Sequence, residues 1–209
     1  MLRIVALVLA LLTISAPTAS AVGFHVAGVS EGTKFLFNNF QFVGESRLDT
    51  ETYVGTVFGV STEWSLRRRS PWHLLLGVDY VQKGYKGKRQ LLTDPEEIEV
   101  SRKADYISIP LLGRVLFSND DDLIIYAVFG PGLEFLLDND EDDLLDDFKS
   151  WSISGNVGMG FEMPFRDRLR VQIEARFSTD FTDNWDGPDA VGLDSARYQM
   201  VVLTGGLRF

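Results

Sequence analysis

Leu169-Arg170-Val171-Gln172-Ile173-Glu174-Ala175-Arg176-Phe177-Ser178 decides the fold. Its odd positions are apolar and its even positions are charged or polar. Successive side chains of a strand point to opposite faces, so this stretch predicts a strand with one greasy and one polar side. The same period recurs along the chain, bounded by turn residues. Within 52–66, Val54, Phe58, Val60 and Trp64 share a face. Within 72–83, Trp72, Leu74, Leu76, Val78 and Tyr80 oppose His73, Gly77, Asp79 and Lys83. Within 104–117, Ile107, Ile109, Leu111, Val115 and Phe117 oppose Tyr106, Ser108 and Arg114. Residues 123–137 carry Gly130, Gly132 and Glu134 on their small or polar side. Within 150–163, Trp151, Ile153, Val157, Met159 and Phe161 oppose Ser152, Ser154, Asn156, Gly158, Gly160 and Glu162. With 22–31, 168–181 and 197–209, the pattern predicts eight strands.

The connections fall into two classes. Residues 67–71, 118–122 and 164–167 read as tight turns. Residues 32–51, 84–103, 138–149 and 182–196 read as long polar loops. Short and long alternate strictly, as in an antiparallel up-and-down transmembrane β-barrel with short periplasmic turns and longer extracellular loops. The fold class expected is therefore all-β, an eight-stranded barrel in one domain.

Composition agrees with this. The chain has 209 residues, 45% of them hydrophobic, which is too greasy for a disordered segment. It has no cysteine, so disulfides and thiolate metal sites are excluded. A net charge of −10 argues against a nucleic-acid partner. Met1-Leu2-Arg3, the apolar run to Ile14 and Ala19-Ser20-Ala21 form the three parts of a secretory signal. The apolar run is too short to span a bilayer as a helix. The expected organisation is a cleaved signal peptide at 1–21 and a barrel domain at 22–209, exported to the cell outer membrane.

In a soluble barrel the apolar set points inward; in a membrane barrel it meets lipid. The polar set here holds Glu63, Asp79, Arg114, Glu134, Glu162, Arg170, Glu174 and Arg176, beside many glycines. An eight-stranded interior is just wide enough for side chains to fill it, so these are expected to pair in the lumen. Trp64, Trp72, Phe117, Phe161 and Phe209 fall at the turn ends of strands; Tyr80, Phe135, Trp151, Phe177 and Tyr198 fall at the loop ends. Two aromatic belts fit two membrane–water interfaces.

Longer motifs carry a family resemblance. They are Leu76-Gly77-Val78-Asp79-Tyr80-Val81-Gln82-Lys83-Gly84, Tyr106-Ile107-Ser108-Ile109-Pro110-Leu111-Leu112, Tyr126-Ala127-Val128-Phe129-Gly130-Pro131-Gly132 and Gly158-Met159-Gly160-Phe161-Glu162. The stretch from Val171 to Phe177 and the terminal Gly205-Gly206-Leu207-Arg208-Phe209 add to them. In this order and spacing the chain resembles the outer-membrane β-barrel domain family that includes PorT-like proteins. The resemblance implies a small eight-stranded barrel in a Gram-negative outer membrane, without one fixed activity. Phe209 also resembles the terminal signal read by barrel-assembly machinery, a partner expected to engage the last strand.

Candidate chemistry is sparse. His25 and His73 both open strands at the periplasmic end. A Ser-His-acid site would need His73 beside Ser70 or Glu63, at the wrong end for lipopolysaccharide. Residues 138–147 hold seven carboxylates in ten positions. Asp138, Asp140 and Asp142 offer oxygen ligands for Ca²⁺, but Asp143 and Lys149 break the EF-hand spacing, so a solvated acidic loop is the preferred reading. No catalytic residue and no cofactor is expected. The function expected is a structural or interaction barrel that presents acidic extracellular loops. Its partners would be outer-membrane lipid, lipopolysaccharide and an extracellular ligand or envelope protein. The alternatives are a narrow pore for ions or small solutes, a lipid A-modifying enzyme, and a soluble lipocalin-like carrier.

Overall fold

The computed structural model describes residues 21–31, 46–51, 54–66, 70–91, 94–119, 122–139, 149–166, 169–182 and 197–208. Strands follow the alternating stretches in order: β1 (Ala21–Glu31), β2 (Ser46–Glu51), β3 (Val54–Ser65), β4 (Trp72–Leu91), β5 (Asp94–Asn119), β6 (Ile124–Asn139), β7 (Trp151–Arg166), β8 (Leu169–Asp180) and β9 (Gln199–Arg208). All ladders are antiparallel. The sheet order β4-β3-β1-β9-β8-β7-β6-β5 returns to β4 through the β4–β5 pairing, so eight strands close a cylinder. The ninth, β2, lies outside that ring and, among the described residues, pairs with the far end of β4. The expected fold class, an up-and-down eight-stranded barrel, is the one observed.

The face that meets each solvent follows from burial. Phe58, Phe117, Leu133, Val157, Met159, Ile173, Leu203 and Leu207 are exposed on the outside. Glu63, Asp79, Lys83, Arg114, Glu134, Glu162, Glu174 and Arg176 are buried on the inside. A soluble barrel would reverse these sets, because charges shed their hydration only at high cost. An outer band of apolar side chains needs an apolar solvent, and hydrocarbon supplies it.

Two expectations need correction. Residues 84–91 and 94–103 are not loop: β4 runs 20 residues and β5 runs 26, pairing from Trp72↔Val115 to Leu91↔Asp94. A membrane strand needs only about 9–11 residues. At about 3.3 Å per residue and a tilt near 40°, the hairpin rises roughly 20 Å beyond the bilayer. There both of its faces meet water, so no apolar alternation marks it in the sequence. For the same reason residues 46–51, read as loop, form β2. The second correction concerns the lumen, which is not wholly polar. Leu75, Leu112, Tyr126 and Val128 form one buried cluster and Val57, Val81, Met200 and Val202 another. The runs Leu74-Leu75-Leu76 and Leu111-Leu112 supply apolar residues to both faces. A closed interior this narrow is a packed core, and carbon fills it wherever no ion partner is in reach.

Proline and glycine shape the wall locally. Pro110 has no N–H to donate, and ladder pairing lapses beside it, between Leu76↔Leu111 and Asp79↔Ser108. On β6, Gly130 adopts φ of 155°, and a Cβ there would strike the Leu111 carbonyl. Only glycine fits that approach.

Candidate functional site

Inward-facing charges come together as layers. At the turn end, Arg114 Nη1 donates to Glu63 Oε2 at 2.6 Å and Nη2 to Glu162 Oε1 at 2.5 Å. Arg208 Nη1 donates to the same Glu162 oxygen at 2.6 Å, and its Nη2 lies 2.6 Å from Glu63 Oε1. The four side chains form a closed ring of alternating charge. They come from β3, β5, β7 and β9, which are alternate strands around the cylinder. Strand tilt in a closed eight-stranded sheet brings side chains of alternate strands to one height. His73 on β4 adds to the ring, with Nδ1 2.6 Å from Glu63 Oε1.

A second layer lies above the ring. Arg114 Cζ sits 3.8 Å from the centre of the Tyr126 ring, a cation–π contact. The Tyr126 hydroxyl donates to Glu174 Oε2 at 3.1 Å. Arg176 Nε donates to Glu174 Oε1 at 3.0 Å, and its Nη1 reaches to 3.8 Å from Asp79 Oδ2 across the lumen. Tyr126 also packs against Gly160, its register partner on β7, where a Cβ would collide with the phenol ring.

The third layer lies toward the loop end. Lys83 Nζ donates to Glu134 Oε2 and, at 2.9 Å, to Asp180 Oδ1. Ser152 Oγ donates to Glu134 at 3.4 Å. The Tyr106 and Tyr198 ring centres lie 5.1 and 5.3 Å from the same ammonium. Each layer thus places opposite charges in contact where water is displaced, the condition under which buried ions are tolerated.

Of the residues singled out from sequence, Glu63, Asp79, Arg114, Glu134, Glu162, Glu174 and Arg176 lie in these layers. Arg170 points the same way but is half-buried. Trp72, Phe117 and Trp151 stand exposed on the outer surface, and Trp64 and Phe161 are half-buried. Tyr198 corrects the expected belt: its ring faces Tyr106 at 6.3 Å and lies near Lys83, inside the lumen. It shares the even parity of the buried Met200, Val202 and Thr204, which the sequence already shows. Phe209, Asp140 and Asp142 lie outside the described residues, and Asp138 is exposed at the end of β6. The signal segment before Ala21 and the loop around Trp185 lie outside them too. The sequence placed His73 and Lys83 on the polar face, and His73 within reach of Glu63, without counting them among the lumen charges; it missed Asp180, Arg208 and Tyr126 as members of the network. Parity could have found Asp180, two residues beyond Ser178, and Arg208, between Leu207 and Phe209. Ser70, considered as a nucleophile, accepts the Trp72 N–H at 3.1 Å.

A comparison with a solved structure agrees with this architecture. The outer membrane protein OprG of Pseudomonas aeruginosa is similar in structure, with a TM-score of 0.58 at 10% identity, over 92% of this chain and 97% of that one. The N-terminal β-barrel domain of OprF from Pseudomonas aeruginosa gives 0.44 at 14% identity, over 91% and 98%. The attachment invasion locus protein Ail of Yersinia pestis gives 0.40 at 12% identity, over 90% and 99%. No curated protein matches the chain in sequence. The family model described as the outer membrane protein beta-barrel domain matches residues 5–209. With its closed barrel and apolar outer band, the chain belongs to the outer membrane protein beta-barrel domain family and resides in the outer membrane.

Proposed function

We propose that the protein is a non-enzymatic barrel of structural or interaction type, working through its extracellular loops. The observation that supports this reading is the filled lumen: the Glu63–Arg114–Glu162–Arg208 ring occupies the turn end, and Lys83 bridges Glu134 and Asp180 near the loop end. With the interior committed to ion pairs and apolar packing, contact with the outside falls to the loops. The stretches 138–147 and 183–189 are rich in acid, so their partner is a cationic surface, or lipopolysaccharide phosphate bridged by divalent cations. Export through a cleaved signal at 1–21, and engagement of the last strand by barrel-assembly machinery, belong to the same reading. The purified full-length protein in planar bilayers should show no stable conductance steps. Defined, long-lived openings would overturn it.

A narrow pore is the second reading. It draws on the Arg176–Asp79 contact, at 3.8 Å a loose bridge across the lumen. Openings that change in size or lifetime in Arg176→Ala would establish it. A lipid A-modifying activity would require acyl changes in lipopolysaccharide that His73→Ala abolishes.

A further inference from the structure

Ladders β3–β4 through β8–β9 each join strands that follow one another in the chain. The β1–β9 ladder joins the two ends of the barrel, and its formation closes the cylinder. Three sides of the charge ring, Glu63–Arg114, Arg114–Glu162 and Glu162–Arg208, each skip one strand without crossing that seam. The fourth side differs. Through the seam only β1 separates Arg208 from Glu63; around the open sheet β4 to β8 all intervene. Arg208 Nη2 is nonetheless 2.6 Å from Glu63 Oε1.

We propose that the ring is a closure latch, in which Arg208 of the last strand links Glu63 to Glu162 only when β9 docks on β1 in the native register. Both carboxylates are buried, Glu63 at 3% and Glu162 at 1% exposure. Before closure Glu63 lacks the Arg208 cation, and a buried carboxylate short of one of its partners is unfavourable. The latch therefore opposes burial of the lumen in an unclosed sheet. It also reads register. A slip of β9 by one residue sends Arg208 into lipid. A slip by two moves it about 6–7 Å along the strand, beyond the reach of Glu63.

The chain has no cysteine, which allows seam-specific cross-linking. Phe24 and Leu207 are register partners across the seam; Val171 and Leu207 are partners on β8–β9. Full-length protein carrying Phe24→Cys with Leu207→Cys, or Val171→Cys with Leu207→Cys, is refolded into lipid vesicles, and disulfide formation is followed in time. Arg208→Gln should slow seam cross-linking roughly tenfold while β8–β9 cross-linking stays within about twofold. Adding Glu63→Gln, which removes the acid that has lost Arg208, should restore most of the seam rate. Should Arg208→Gln fail to assemble, the same ratio is read in Arg208→Lys, whose single ammonium cannot form a two-pronged bridge. An unchanged ratio of seam to β8–β9 cross-linking in the assembling variant, or no rescue by Glu63→Gln, would overturn the latch.

Discussion

Arg114 is the largest fully buried side chain among the described residues, at 1% exposure, and its guanidinium serves two carboxylates and one aromatic face. Replacing it with Met keeps the volume but leaves Glu63 and Glu162 short of a cation. Arg114→Met should therefore lower stability by about 3–5 kcal/mol, the usual result of breaking a buried ion pair from one side. The measurement is the urea unfolding midpoint in lipid vesicles. Adding Glu162→Gln should recover part of that loss, because the stranded charge is gone. Glycines separate just as cleanly. A Cβ at Gly160 would meet the Tyr126 ring, whereas one at Gly205 meets nothing within 4 Å. Gly160→Ala should cost about 1–3 kcal/mol through overpacking, and Gly205→Ala should change stability by less than about 0.5 kcal/mol. Equal effects at both positions would contradict the packing described. At this scale parity alone made Glu63, Arg114 and Glu162 legible as inward charges. It could place Arg208 inward but not show which carboxylates it meets, because the ring depends on strand stagger, which one chain of letters does not encode.

The strands differ in how far the sequence reveals them. β8 alternates cleanly because hydrocarbon lies on one side and ions on the other. The upper halves of β4 and β5 alternate by no such rule, since water lies on both sides there, and they read as loop. Their pairing is visible only in the register. Lys86 lies opposite Glu51, and Lys88 opposite Asp49 on one side and Glu99 on the other. This projecting sheet lies outside the closed ring of eight strands. Replacing residues 86–101 with a short turn should leave the heat-modifiable migration of the folded barrel intact and shift its urea midpoint by less than about 1 kcal/mol equivalent. Loss of the barrel form on trimming would mean that the hairpin, and not the lumen, nucleates closure.

On the scale of the whole molecule, orientation towards lipid sets the cost of a charge at each position. The alternation already contained this choice, since the inward set was rich in charge and the outward set nearly free of it. The partly apolar lumen was less legible, because Leu75, Leu112 and Val128 look like lipid-facing residues until register assigns them inward. Leu203 lies in the middle of β9 with its side chain 54% exposed, facing the centre of the apolar band. Phe165 lies at the turn end of β7 with 70% exposure, where headgroups and water are in reach. Exposure is thus similar or greater at Phe165, and in water both positions would accept arginine at little cost. In a bilayer they diverge. Leu203→Arg should cost about 2–4 kcal/mol and Phe165→Arg about 0–1 kcal/mol, because the penalty follows depth and not accessibility. Unfolding midpoints of the two variants in the same vesicles measure the difference. Equal costs would mean that Leu203 does not face hydrocarbon, and the barrel would have to be turned inside out.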